Sequence, residues 1–152
     1  MKTRDFGTTG LKVSELVFGG GQVGGLLING DDDTRRKAVR RALDGGINWF
    51  DTAAQYGQGE SEEALGWLLG EIDDTPYLST KLRLNTDDLS DIPGQIERSL
   101  EASLKRLRGE SVDLFQLYNA IGPQTKGRHL GIDAVLGKGA WPISWTGSAI
   151  RA

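Results

Sequence analysis

The sequence has no cysteine, no long hydrophobic run and no excess of positive charge. Without cysteine, disulfides, thiolate metal sites and cysteine nucleophiles are excluded. The absence fits a reducing compartment, and a cytoplasmic location is the expectation. No segment approaches the ~20 apolar residues of a membrane span. The start, Met1-Lys-Thr-Arg-Asp5, lacks the apolar core of a signal peptide. Lys and Arg number 18 against 21 Asp and Glu, a net charge of −3. A nucleic-acid binder would show a basic face. The one basic cluster, Arg35-Arg-Lys37 with Arg40-Arg41, falls on a predicted helix beside Ala38, Val39, Ala42 and Leu43, as a solvated helix face does. Apolar residues are also sparse, at 38 %, but 22 glycines make up the difference, so the chain is globular in composition and rich in turns. Its 152 residues suffice for one domain with a core.

What is present is a period. Residues 3–15 read as a short hairpin, with Thr9-Gly10 turning between Arg4-Asp-Phe6 and Leu11-Lys-Val13. Strand-like apolar runs then start near Leu16, Ile47, Tyr77 and Val112, at spacings of 31, 30 and 35 residues. Each spacing fits a strand, a crossover helix and two loops. Asp31-Asp-Asp33 offers an N-cap to the first helix, and Gly45-Gly46 stops it. Ser61 is the expected cap of the second, with Glu62 and Glu63 near its positive end, Ala64, Leu65, Leu68 and Leu69 on its inner face, and Gly70 after it. In the third, Ile92, Ile96, Leu100, Leu104 and Leu107 form the stripe, Pro93 sits in the first turn and Gly109 follows. Strands alternating with helices imply a parallel sheet with right-handed crossovers. The expected strands are 16–18, 47–50, 77–81 and 112–117, mostly apolar as strands covered on both faces are. From Gly122 to Gly139 the chain is polar and glycine-rich apart from Ile132-Asp-Ala-Val-Leu136. Residues 140–152 show no period and form a separate, irregular tail.

Two patterns carry chemistry. Gly19-Gly-Gly-Gln-Val-Gly24 fits G-x-G-x-x-G after a strand. The dinucleotide fingerprint needs its third glycine in the opening turn of a helix. Here residues 26–30 and three Asp intervene, and those acids would repel a phosphate. A glycine loop at the mouth of a strand is the better reading. Asp51 and Lys81 each end a strand, 30 residues apart. Adjacent parallel strand ends are neighbours, so the two can pair, holding the lysine cationic and in place. Tyr56 follows Asp51 in the same loop, close enough to fold over that pair. A neighbouring ammonium favours the phenolate, which makes a phenol a usable general acid near neutrality.

The stretches Phe18-Gly-Gly-Gly21, Phe50-Asp-Thr-Ala-Ala-Gln-Tyr56, Leu78-Ser-Thr-Lys81 and Val112-Asp-Leu-Phe-Gln-Leu-Tyr118 together resemble the aldo-keto reductase family. Acid and tyrosine followed by Gly and a Ser-Glu helix start, through Leu69, form the most specific motif, and the similarity runs from about residue 2 to 136. The resemblance implies an α/β fold: the N-terminal half of a (β/α)8 TIM barrel, about four parallel strands after a bottom-capping β-hairpin, occupying residues 2–139. A complete barrel needs about 250 residues. It implies NADP(H)-dependent reduction of an aldehyde or ketone, or the reverse oxidation, on a small-molecule substrate. Tyr56 would be the proton donor, Lys81 its activator and Asp51 the holder of Lys81. Gly19, Gly20 and Gly21 would face the nicotinamide end of the cofactor, most of whose site belongs to later strands. Tyr118 stands where the family has a carbonyl-orienting histidine, and is either an orienting donor or a packed strand-end aromatic. Two alternatives stay open: a truncated, inactive half-barrel, and a regulatory subunit that binds without turnover. Open sheet edges would favour self-association; no metal, membrane or nucleic-acid partner is expected.

Overall fold

The computed structural model describes residues 1–136, so the expectations for 137–139 and for the tail at 140–152 lie outside the described residues. The hairpin pairs β1 (Thr3–Asp5) with β2 (Lys12–Ser14), antiparallel, in the register Thr3 to Ser14. Asn48 fastens it to the sheet: its side chain accepts from the Ser14 N–H at 2.7 Å and donates to the Lys12 carbonyl at 2.8 Å. Phe6 thereby reaches the Trp49 ring, 5.1 Å between centroids.

Four parallel strands follow in spatial order β3 (Phe18–Gly19), β4 (Trp49–Asp51), β5 (Tyr77–Leu82) and β6 (Leu114–Leu117). The first strand starts later than expected. Leu16 and Val17 are exposed and unpaired with the sheet, because the chain is still leaving the hairpin there. Between the strands lie α2 (Asp32–Asp44), α3 (Glu60–Leu69) and α4 (Ile92–Leu107). Side chains alternate across each strand. Phe18, Phe50, Leu78 and Phe115 face the helices and meet Val39, Ala42, Leu65, Leu68, Leu100 and Leu107 in one core. Leu82 and Leu117 join Ile92 and Ile96 in a second. The opposite set lines the concave side of the sheet, where Gly19, Trp49, Asp51, Ser79, Leu114 and Gln116 border an open groove of about 390 Å³.

Local chemistry explains the helix ends, with three departures from expectation. Asp31 caps α2 by accepting from the Thr34 N–H at 2.8 Å. Asp91 does the same for α4, accepting from Gly94 at 2.9 Å, with Pro93 in the first turn. Ser61 does not cap α3. The cap is Gly59, in a left-handed conformation (φ 103°) at the end of a short 3-10 turn at Tyr56–Gly59, and Ser61 is buried as the second residue of the helix. Glu62 is likewise fully buried rather than solvated: it accepts from Thr80 Oγ1 at 2.5 Å and from Arg106 Nε at 2.6 Å, joining α3 to β5 and α4. Arg108, not Gly109, takes the left-handed position that ends α4. Residues 26–30 include α1 (Leu26–Asn29), one turn capped by Gly25. The glycine-rich segment after Tyr118 holds β7 (Ala120–Gly122), β8 (His129–Gly131) and the short α5 (Ile132–Leu136). No helix among the described residues is long and apolar enough to cross a membrane.

Candidate active site

The concave side of the sheet, at the C-terminal ends of its strands, gathers the sequence-predicted residues. Asp51 is the last residue of β4, Lys81 lies near the end of β5, and Tyr118 follows β6. Strand alternation puts Ser79 and Lys81 on the same face as Asp51. Lys81 Nζ donates to Asp51 Oδ2 at 2.5 Å and to the Thr52 carbonyl at 2.7 Å. The pair is part-buried, with side-chain exposures of 13 % for Lys81 and 27 % for Asp51. The other carboxylate oxygen is taken by Ser79 Oγ at 2.6 Å, and Ser79 in turn accepts from Trp49 Nε1 at 2.9 Å. Asp51 is therefore fixed through both oxygens, and a lysine fixed by it has little freedom to wander.

Tyr56 folds back over this pair from the loop that leaves β4. Its ring lies under the ammonium, with Lys81 Nζ 4.9 Å from the centroid. The contact is to the ring face, a cation–π arrangement. Tyr118 meets Tyr56 edge-on, at 6.0 Å between centroids and 88° between planes. Tyr118 is 37 % exposed, and Arg83 stacks over its ring at 5.0 Å. It is thus part of the cluster and not of the core. The one histidine in the sequence, His129, is an exposed residue of β8 and does not take that place.

The three glycines have different reasons to be glycine. A Cβ on Gly20 would stand 2.4 Å from Ser61 Oγ, so this position is set by packing inside the protein. Ser61 Oγ donates to the Gly20 carbonyl at 2.9 Å and shares a hydrogen bond with Thr52 Oγ1 at 2.8 Å, locking loop, strand end and helix together. A Cβ on Gly21 would stand 3.4 Å from the Tyr56 ring and 3.7 Å from its oxygen. On Gly19 it would meet nothing within 4 Å. Only Gly21 thus lies beside the phenol, while Gly19 borders open space. No three His, Cys, Asp or Glu side chains among the described residues converge to hold a metal.

Sequence reasoning missed Trp49, Ser79, Ser61 and Asn119. Ser79 and Ser61 stand inside motifs already singled out, but a serine gives no sign of its partner. Asn119 pairs with the Leu84 backbone through both its amide groups, at 2.8 and 3.0 Å, extending the sheet past β6. Gln116, opposite Lys81 in register, has a buried carbonyl oxygen with no partner among the described residues.

A parallel α/β sheet with an Asp–Lys–Tyr cluster at its C-terminal edge is the arrangement of part of a barrel. The chain belongs to the aldo/keto reductase family, whose model matches residues 15–132. It is 34 % identical over 125 residues to the aldo-keto reductase YhdN of Bacillus subtilis, covering 78 % of this chain and 38 % of that protein. To L-galactose dehydrogenase of Arabidopsis thaliana it is 31 % identical over 122 residues, covering 78 % and 38 %. Among solved structures, the holo form of aldo-keto reductase AKR11C1 from Bacillus halodurans superposes with a TM-score of 0.65 at 32 % identity, covering 80 % of this chain and 41 % of that one. The chain spans about two fifths of the length of these relatives.

Proposed function

We propose that this chain supplies the acid–base part of an NADP(H)-dependent carbonyl reductase, acting on an aldehyde or ketone or, in reverse, on the alcohol. The observation that carries the reading is the Tyr56 ring held against a Lys81 that Asp51 fixes, at the open edge of the sheet. In this reading Tyr56 gives its hydroxyl proton to the carbonyl oxygen. The Lys81 ammonium stabilises the phenolate left behind. Asp51, locked by Ser79, keeps Lys81 in place. Tyr118 offers a second hydroxyl from the neighbouring strand end. Gly19 and Gly21 leave the space in which the nicotinamide end of the cofactor would lie; when bound, NADPH supplies the hydride.

The test supplies the complementary C-terminal half of a relative, by fusion or co-expression, and follows NADPH consumption with a panel of neutral aldehydes. Turnover is expected, and Tyr56→Phe should lower it by about 10²–10⁴-fold, the usual worth of a general acid. Full activity in that variant would sink the assignment. A second reading, a half-barrel that binds or associates without catalysing, takes Tyr118 as a packed strand-end aromatic against Tyr56 and Arg83. Cofactor binding with no turnover in the completed barrel would support it.

A further inference from the structure

Next to the Tyr56 cluster lies a pocket of about 350 Å³ whose walls include Gln55, Arg83, Asn85, Thr86, Asn119 and Arg128. It holds two guanidinium groups and no carboxylate. Among the described residues neither Arg83 nor Arg128 is in an ion pair, unlike Arg36, Arg40, Arg98 and Arg106. Arg83 lies two residues beyond Lys81, so strand alternation continues the same face toward the rim. Its guanidinium carbon lies 5.0 Å from the centre of the Tyr118 ring. Its N–H groups make no hydrogen bond or ion pair among the described residues, so they stay available to grip an oxyanion.

The pocket is built rather than incidental. Asn119 clamps the Leu84 backbone from both sides, fixing the segment that carries Arg83. The Asn85 N–H donates to Gln95 at 2.7 Å, and Thr86 Oγ1 donates to the Gly127 carbonyl, tying the two arginine-bearing loops together. Gln55, the neighbour of Tyr56, has a buried side-chain oxygen without a partner on this wall. A buried amide oxygen without a donor is costly unless a ligand satisfies it.

We propose that this pocket holds an anionic group, a carboxylate or a phosphomonoester, on a carbonyl substrate whose reacting end lies at Tyr56, with Gln55 accepting from a substrate hydroxyl. The substrate class is thus an acidic carbonyl compound, and the inference rests on the reading of Tyr56 as the proton donor. Charge-assisted, bidentate contacts from two unpaired arginines would favour such a substrate over its neutral analogue.

Ligand-observed NMR on the full 152-residue chain tests this without any turnover. Glutarate and glycerol 1-phosphate serve as anionic probes, glutaramide and glycerol as neutral ones. Saturable binding of at least one anion is expected, with neither neutral probe binding. A preference for glutarate identifies a carboxylate, and the reverse a phosphate. Arg83→Gln combined with Arg128→Gln should weaken binding by at least about tenfold. Both arginines are exposed, so the change spares the core. Arg41→Gln, with the same charge loss on α2, should leave binding unchanged. Equal binding of the neutral probes, an unaffected double variant, or an equal loss in Arg41→Gln would each overturn the proposal. Anion binding with no turnover in the completed barrel would sink the proposed function and leave the pocket standing. Turnover of a neutral aldehyde with no anion binding would do the reverse.

Discussion

Tyr118 is the residue at which this chain departs from its family's pattern, and the structure gives it two neighbours of different kinds. One is the Tyr56 ring, edge-on; the other is the Arg83 guanidinium, its carbon 5.0 Å from the ring centroid. A phenol in that position can donate to a carbonyl, but it is longer than an imidazole and reaches a different point. In the completed barrel, Tyr118→His should therefore raise kcat/KM for a neutral aldehyde. Tyr118→Phe should lower it only where the hydroxyl is a donor, by about 10²-fold or less, at the weak end of what orienting groups contribute. Steady-state kinetics of the two variants decides this: no gain from His and no loss from Phe would make Tyr118 packing alone. Asp51 and Lys81 were legible as site candidates from their strand ends and Tyr56 from its place in the loop after Asp51, whereas Tyr118 was legible only through the family resemblance. Ser79 was not, because its value comes from bonds to Trp49 and Asp51 that cross between strands.

At the scale of elements, close helix approach and helix capping make separate predictions. A Cβ on Gly66 of α3 would stand 2.3 Å from the Arg106 carbonyl and 2.8 Å from the Leu107 carbonyl carbon, both backbone atoms of α4. Neither can swing aside, so Gly66→Ala must push the helices apart. The expected cost is about 1–3 kcal/mol, the usual range for overpacking, read as a drop in denaturation midpoint. A variant as stable as the parent would show that α3 and α4 are more loosely apposed. Capping is tested by acid. The Thr34 N–H and hydroxyl hold the Asp31 carboxyl below the usual carboxylate range. A carboxyl depressed in the folded state contributes stability above its unfolded value, about pH 3.9, and loses it as pH falls through the folded value. The difference in melting temperature between the parent and Asp31→Ala should thus be full at pH 7 and shrink below about pH 4. A difference that stays constant to pH 3 would mean the cap does not depend on charge. The helix periods were legible because apolar residues recur at a helix's own spacing. The cap of α3 was misjudged because Ser61 satisfies the usual pattern while the backbone turns at Gly59, two residues earlier.

For the whole molecule the open concave face is the dominant feature. Groove residues Phe6, Val13, Val17, Trp49 and Leu114 are apolar. β3 and β6 are edge strands of the four-stranded sheet. Unpaired strand edges beside apolar surface invite association. This chain by itself is expected to elute larger than a monomer in size-exclusion chromatography with light scattering, and to precipitate on concentration. A monodisperse monomer with a cooperative melt would refute this. For the same reason NADPH binding by this chain alone should be weak, above micromolar in Kd. In the proposed reading the glycine loop is one wall for the nicotinamide end, and the described residues suggest no second. Submicromolar binding by fluorescence titration would mean that association, or residues beyond 136, supplies the rest.

The order of strands and helices, the parallel sheet and the family were determined by the sequence alone. The element order and the sheet follow from a repeat, apolar residues at period two or 3.6 in segments at nearly constant spacing, and the family from the resemblance of its strand-end motifs. Repeats of that kind are local, so they survive without knowledge of what touches what. Only the tertiary structure decided that Asp51 is gripped through both oxygens and that Glu62 is a buried tie between α3, β5 and α4. It also decided that Gly20 is glycine for Ser61 while Gly21 is glycine beside Tyr56. The unpaired Arg83 and Arg128 around one pocket belong with these. Such contacts join residues 18 to 45 positions apart, and their direction depends on strand register and helix packing. A one-residue slip in register would turn Asp51, Ser79 and Lys81 to the other face of the sheet.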